Sequence, residues 1–408
     1  MVRPEDYEQR EQAFVKHFVL EHYLEQLALK VGGFRDGTTL SYIDGFSGPW
    51  QHADQELRDT SPHVAMSKLL AAKDHLQRTG KALHVRGFFV ERNPDAHRRL
   101  QEMLHGFEGL DAVEARCGEF EGEIPAACRF AQRGKQPFAF IFIDPTGWTG
   151  YPLQAITPLL RVQPCEVLIN FMTKDIVRFI DDESSTALPT FAALFGDAGY
   201  REAWRGLEGL EREDKIVETY CQRLRRAGDF AYVGATLVLN PQHDRTHYHL
   251  VHATRSLHGL IAFRETERLA VPAQREVRAG ARQQRRFGSA GQQEMFDAST
   301  METRYMEDLA RRYQDRARRA VEARLREQGR VPFDELVGVA LSFPMTSLHQ
   351  LKDWLAELRR GGRVEYLGLG PRERVPKPRA AHVIEWRAGP SSGPRGLPPT
   401  SESSESSE

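Results

Sequence analysis

An uninterrupted apolar run, Phe138-Ala-Phe-Ile-Phe-Ile143, stops abruptly at Asp144-Pro145, and this constrains the fold more than any other feature of the chain. The run is aromatic and β-branched, and it is far below the ~20 residues a membrane span needs. A segment apolar on both faces has to be buried on both faces, as in a central strand of a parallel sheet. Weaker versions of the same pattern recur. They are Ser41–Asp44, closing at Gly45; His84–Val90, closing at Glu91; Ala112–Arg116, leading to Cys117-Gly-Glu119; and Glu166–Phe171. Helical periodicity fills the gaps. Phe14, Phe18, Leu20, Tyr23, Leu24 and Leu27 share a face in the first stretch, roughly 5–30. A helix over 61–79 takes Ser61 as N-cap and Pro62 at its first position. Further helices are expected at 94–105, 121–133 and 152–162. This alternation predicts a parallel sheet with helices on both faces.

The remainder divides by composition. Residues 174–228 are helical with an acidic turn, Asp181-Asp182-Glu183, and are too long for a simple crossover, so an inserted cap is expected. Phe230–Leu239 and His247–His252 read as an antiparallel hairpin. Five parallel strands and a closing hairpin over residues 1–270 make the sheet of a Rossmann-like class I methyltransferase. From 271 to 330 an Arg-rich helical linker is expected, with eight Arg against three acids in 311–330. Residues 331–388 suggest a winged helix. Its second helix is capped by Thr346 or Ser347 and carries Leu348, Leu351, Trp354, Leu355 and Leu358 on one face. Residues 389–408 end in SESSESSE and cannot bury enough apolar surface to order.

Charge and cysteine content limit the function classes. Lys+Arg is 56 and Asp+Glu 57, which excludes a global polycation. Only ten of the cations are Lys, a bias that reflects either phosphate recognition or coding composition. The four cysteines form no CxxC pair, and the charged N-terminus has no apolar core of a signal peptide. A reduced cytoplasmic protein with no membrane segment is expected.

In a doubly wound sheet, ligands bind beyond the carboxyl ends of the strands where strand order reverses. Asp44-Gly45-Phe46-Ser47-Gly48-Pro49 ends the first strand. Its glycines let backbone approach a ligand, and the following helix N-terminus favours an anion. The plain alternative is a tight βα turn. Glu91 ends the second strand, where a carboxylate accepts from ribose hydroxyls, or it is simply an exposed strand-end acid. Glu119, after the third strand, suits an adenine amino group. Asp144-Pro145-Thr146-Gly-Trp148 ends the fourth. There the Asp and the Pro145 carbonyl can accept target N–H groups and orient a nitrogen lone pair, and Trp148 can stack on an extruded base. The alternative is a turn-capping Asp with Trp148 in the core. Asn170 ends the fifth strand and faces the same crevice or is a buried amide. Lys16 and His17 lie on the first helix, where they could reach the ligand from above, though a solvated face is the simpler reading. His247 and His249 share a strand face that His252 does not, so no three-ligand metal set is expected.

Asp44-Gly-Phe-Ser-Gly48 resembles the strand–loop of nucleic-acid methyltransferases, and Asp144-Pro145 resembles their catalytic loop, with Thr146 replacing a second Pro. Together, Tyr42–Pro49, Phe142–Trp148, Val167–Met172 and His252-Ala-Thr-Arg255 resemble the three-Cys-motif partner proteins of bacteria, over roughly residues 10–265. Lys16-His17, Tyr23-Leu24 and Thr60-Ser61-Pro62 fit the same pattern. The resemblance implies a methyltransferase-type domain, S-adenosyl-L-methionine as cofactor and a neighbour carrying an iron–sulfur-type three-cysteine motif. It also admits a C-terminal winged helix, and it supplies no reaction. The expected function is methyl transfer to a nucleic acid, DNA or RNA. Asp44, Gly45, Phe46, Ser47, Gly48, Glu91 and Glu119 would hold the cofactor, and Asp144, Pro145 and Trp148 the acceptor. The competing expectations are a non-enzymatic module that binds nucleic acid or the partner through a vestigial fold and, third, a transcription regulator whose winged helix reads the major groove.

Overall fold

The computed structural model describes residues 2–7, 9–48, 57–181, 187–290 and 298–387. The expected Ser/Glu tail at 389–408, and Asp182 and Glu183 of the acidic turn, lie outside them. The strands of the main sheet are β1 (Thr38–Asp44), β2 (Leu83–Glu91), β3 (Ala112–Cys117), β4 (Pro137–Ile143), β5 (Cys165–Phe171), β6 (Tyr232–Leu239) and β7 (Thr246–Thr254). Their order is β3-β2-β1-β4-β5-β7-β6. β1 to β5 are parallel, and β7 runs antiparallel to both of its neighbours. This is the sheet of a Rossmann-like class I methyltransferase. Strand order reverses between β1 and β4, so the crevice falls at their carboxyl ends.

Alternating side chains feed two apolar layers. Ile43, Phe88, Val90, Ile141, Ile143, Val167 and Ile169 face α4 (Phe120–Ala131), α5 (Leu153–Leu160), α7 (Ala187–Phe195) and α8 (Gly209–Gly228). Leu40, Tyr42, Phe89, Phe140, Phe142 and Leu168 face α1 (Glu11–Phe34), α2 (Ser61–Arg78), α3 (Pro94–His105) and α9 (Leu257–Ala290). Each wholly buried Phe contributes about 1.5–3 kcal/mol, which is why the 138–143 run defines the centre. Between β5 and β6 lie α6 (Thr173–Phe179), α7, a short 3₁₀ turn at Ala198–Trp204, and α8. Phe191, Phe195, Tyr200, Trp204, Ile216 and Tyr220 are buried in the first layer. The expected cap is therefore part of the core. The N-cap of α2 is Thr60 rather than Ser61, because the Ser61 hydroxyl donates to Asp44 Oδ2 at 2.9 Å.

The expected boundary at 270/271 falls inside one continuous helix, α9. The composition changes there because the helix changes neighbours, not because it ends. The next helix, α10 (Ala298–Gln328), buries Met306, Leu309, Tyr313, Ala317, Val321 and Leu325, so it is a packed helix and not a linker. Its arginines are largely committed within the chain. Arg312 and Arg316 pair with Asp214 of α8, Arg318 with Glu322 and Glu357, and Arg324 with Glu335. The chain continues through β8 (Arg330–Pro332), α11 (Phe333–Leu341), α12 (Leu348–Arg360), β9 (Val364–Leu367) and β10 (Val383–Trp386), with sheet order β8-β10-β9, all antiparallel. Ser347 and Gln350 form a reciprocal capping box on α12.

Register fixes where this unit docks. Tyr232, the first residue of β6, packs on Gly338 of α11, where a Cβ would lie 2.9 Å from its ring. Tyr232 pairs with Thr254, and Ala253 pairs with Val167 near the start of β5. The C-terminal unit thus sits at the amino ends of the parallel strands, opposite the crevice. No helix among the described residues is long and apolar enough to cross a membrane.

Candidate functional site

At the carboxyl ends of β1 to β4 a cavity of about 590 Å³ is lined by Gly45, Phe46, Gly48, Glu91, Arg92, Asn93, Gly118, Glu119, Phe120, Pro145, Thr146 and Gly150, among others. That volume is in the range of small-molecule and cofactor sites. Of the cofactor residues expected from the sequence, Gly45, Phe46, Gly48, Glu91 and Glu119 line it. Gly45 lies against the buried Phe120 ring, and a Cβ there would sit 2.8 Å from it, so a larger residue would have to displace that ring. Glu91 is buried at the end of β2. Its Oε1 accepts from the Asn93 amide at 2.6 Å, and Asn93 caps α3 by accepting from Asp95 and Ala96. Oε2 of Glu91 makes no hydrogen bond among the described residues. Glu119 is exposed and stands 3.8 Å from Arg92.

Asp44 and Ser47 are placed otherwise. Asp44 lies wholly buried beneath the loop. It accepts from the Phe46 amide at 3.0 Å, from the Tyr42 hydroxyl at 3.2 Å and from Ser61. Burial pushes its carboxyl up to about 7, with Asp144 adding to the rise against the lowering hydrogen bonds from Phe46, Ser61 and Tyr42. Ser47 is also buried, donating its amide to the Val90 carbonyl and its hydroxyl to the Asp44 carbonyl. These two residues shape the loop from below and do not line the cavity.

Asp144 stands at the switch point, half-buried. Lys16 of α1 forms an ion pair with its Oδ2, and Asn170 Nδ2 donates to its Oδ1 at 2.6 Å. Both carboxylate oxygens are therefore engaged. Asn170 Oδ1 is left buried with no partner. The opposite amide orientation would place two acceptors together, so this assignment stands. Tyr248 of β7 is buried alongside, its hydroxyl raised by burial and by the Asp144 charge, and it donates to the Gln12 carbonyl. Lys16 does not lie on a solvated helix face. Periodicity placed it beside the apolar stripe of α1, and only its approach across the sheet to Asp144 reveals its partner. Neighbouring His17 is buried too, 2.9 Å from the Tyr7 hydroxyl.

Trp148 is not presented to the cavity. Its ring stacks on Phe191 at 5.2 Å and leans on Phe179, and its Nε1 donates to Thr190. It belongs to the α7 side of the core and is not itself a stacking platform at the crevice. His249 of β7 is buried and held neutral, its imidazole lowered by burial to about 3, with Nδ1 at 2.7 Å from the Thr173 hydroxyl.

No family model matches the chain, and no curated protein matches it. Among solved structures, a Legionella pneumophila protein described by the family model DUF519 is 11% identical, over 59% of this chain and 85% of its own, with a TM-score of 0.33. A loganic acid methyltransferase solved with SAH is 8% identical, over 71% of this chain and 92% of its own, with a TM-score of 0.30.

Proposed function

We propose that the chain is an S-adenosyl-L-methionine-dependent methyltransferase acting on a nucleic acid. One observation carries the reading. The crevice at the β1/β4 switch point combines a loop whose backbone packs against the Phe120 ring at Gly45 with a buried carboxylate, Glu91, that has one oxygen uncommitted. Glu91 would accept from the ribose hydroxyls, Glu119 from the adenine amino group, and the Gly45–Gly48 backbone would run beside the amino-acid portion. S-adenosylmethionine, when bound, supplies an electrophilic methyl group on a sulfonium centre. Asp144 and the Pro145 carbonyl would hold the acceptor near it, so positioning provides most of the catalysis. The sequence resemblance supports a three-cysteine iron–sulfur-type protein as partner and a winged-helix reading of the C-terminal unit.

A second reading, a binding module with a vestigial crevice, is favoured by the engagement of both Asp144 oxygens and by the burial of Trp148 in the core. Calorimetric titration with S-adenosylhomocysteine tests the cofactor step. Glu91→Ala is expected to weaken binding at least ~10-fold, the loss of one to two hydrogen bonds to a charged acceptor. Asp144→Ala is expected to keep that affinity and to abolish transfer of labelled methyl groups to nucleic acid. Absence of S-adenosylhomocysteine binding by the folded wild type would reject the methyltransferase reading. Binding without transfer would leave the module reading in its place.

A further inference from the structure

The C-terminal unit carries a second charged surface, remote from the crevice and independent of it. Between Arg359 and Arg379 the sequence holds seven cations, six of them Arg, against two acids, Glu365 and Glu373. Arg359, Arg360, Arg363, Arg372, Arg374 and Arg379 are all exposed, and none has a carboxylate partner among the described residues. This differs from α10, most of whose arginines pair with carboxylates of this chain.

The loop joining β9 to β10, residues 368–382, is held in one shape. Glu373 accepts from the Gly370 amide at 3.0 Å, from Lys377 Nζ at 2.9 Å and from buried His382 Nε2 at 3.0 Å. These hydrogen bonds, led by that of Gly370, bring its carboxyl down to about 2. The Lys377 amide donates to His382 Nδ1, and the Arg379 amide to Asp334 at the start of α11. The one acid in the loop is thus used as a staple, and the loop presents Arg372 and Arg374 outward. Val375 beside them is 43% exposed, one of few large apolar side chains left in water. Arg359, in the last turn of α12, ties this loop to the helix by donating to the Arg374 carbonyl at 3.4 Å and by lying over the Tyr366 ring. Arg363 and Arg326 both lie 5.0 Å from the Trp386 ring.

A long, ordered loop of unpaired arginines is matched by a regular polyanion. We propose that this surface binds double-stranded DNA, with Arg372, Arg374 and Arg360 on phosphates and Val375 at the groove edge. DNA is favoured over RNA because α12 lies beside the loop with an exposed polar face, including His349 and Asp353. The B-form major groove admits a helix, whereas the A-form one does not. An exposed aliphatic flanked by cations is also how proteins wedge a DNA minor groove. The bound duplex would lie at the end of the sheet opposite the crevice, so the surface tethers the chain to DNA and does not present the acceptor base.

Fluorescence anisotropy of a labelled random-sequence DNA duplex with the full chain, measured across a salt series, tests this. The double variant Arg372→Ala/Arg374→Ala is expected to weaken binding at least ~10-fold at low salt. It should also reduce the slope of log affinity against log salt by about 2, near 0.9 per lost phosphate contact. Val375→Ser should weaken binding with no change of slope. Neither change touches a buried group, and unaltered thermal unfolding of the variants confirms that they fold. Absence of duplex binding by the wild type, or variants with the wild-type affinity and slope, would overturn the proposal. Tighter binding to a duplex of RNA than of DNA would overturn the assignment to DNA. Loss of S-adenosylhomocysteine binding bears on the crevice alone.

Discussion

Asp44 shows how a carboxylate at a strand end can be taken up by its own loop. Its carboxyl is buried under Gly45 and Phe46 and raised by that burial to about 7. The unfolded chain would release the same proton near 4. Between those values the native state binds more protons, so this group's contribution to stability falls as pH rises and levels off above about 7. A rise of about three pK units corresponds to roughly 4 kcal/mol, as an order of magnitude. Asp44→Asn keeps an oxygen for the Phe46 amide, presents its Nδ2 as a donor to the Ser61 hydroxyl oxygen, and cannot ionise. Its stability relative to wild type, from urea unfolding, is expected to climb between pH 4 and pH 7 and to match wild type below pH 4. A pH-independent difference would show that Asp44 ionises freely in the fold. The sequence placed Asp44, Glu91 and Asp144 correctly at three strand ends, because strand termini follow from where apolar runs stop. It could not separate a ligand-facing carboxylate from one turned under its own loop. It named Lys16 but could not give it a partner, since a lone lysine on a helix carries no pairing signal until its helix is placed against Asp144.

Helix α9 makes a close approach to the sheet at Gly259. Gly259, in its first turn, faces the start of β5. A Cβ there would lie 2.3 Å from Glu166 Oε1 and 2.6 Å from Thr254 Oγ1. Glu166 cannot swing aside. It accepts from the Tyr23 hydroxyl at 2.5 Å and from Thr254 at 2.7 Å, and His252 Nε2 stands 3.6 Å away. Burial pushes its carboxyl up, yet the hydrogen bonds and the His252 charge outweigh burial and hold it below the usual range. Alanine is favoured over glycine inside a helix by about 1 kcal/mol. Overpacking a rigid core costs about 1–3 kcal/mol, and here the neighbours are locked polar atoms, so the second effect is expected to win. Gly259→Ala should therefore lower unfolding stability by about 1–3 kcal/mol, measured by denaturant titration. A gain near 1 kcal/mol would mean that α9 stands off from β5. The existence of the elements was legible from periodicity, and the seven strands fall close to the apolar runs that announce them. The break expected at residue 271 was not real: α9 becomes Arg-rich where it runs beside the β6–β7 turn, with Arg278 and Arg282 on Asp244, and stays helical throughout.

At the scale of the whole molecule, the crevice and the arginine surface lie at opposite ends of one sheet, and helices α9 and α10 tie that sheet to the C-terminal unit. Contacts between the sheet and the C-terminal unit are both apolar and ionic. Leu257 and Leu260 of α9 belong to the same apolar cluster as Leu336, Leu351 and Ile384. Buried Arg264 donates to the Leu341 carbonyl at 2.8 Å and to Glu267 at 2.7 Å. The most concentrated ionic contact is Asp214 of α8, which is nearly buried and receives Arg312, Arg316 and, at 2.7 Å, the Tyr313 hydroxyl. Removing one partner of a buried pair typically costs 3–5 kcal/mol, because the charge left behind has lost its counterion. Both guanidinium groups here are about a quarter exposed, 26% and 30%, so water recovers part of that loss. Asp214→Ala is accordingly expected to cost about 2–3 kcal/mol. Since the C-terminal core includes leucines of α9, the loss should appear as a shift of one cooperative unfolding transition, not as a separate early melting of residues beyond 298. Two resolved transitions in the variant, by circular dichroism and by tryptophan fluorescence, would show that α10 and the sheet are joined by Asp214 more than by their shared apolar cluster.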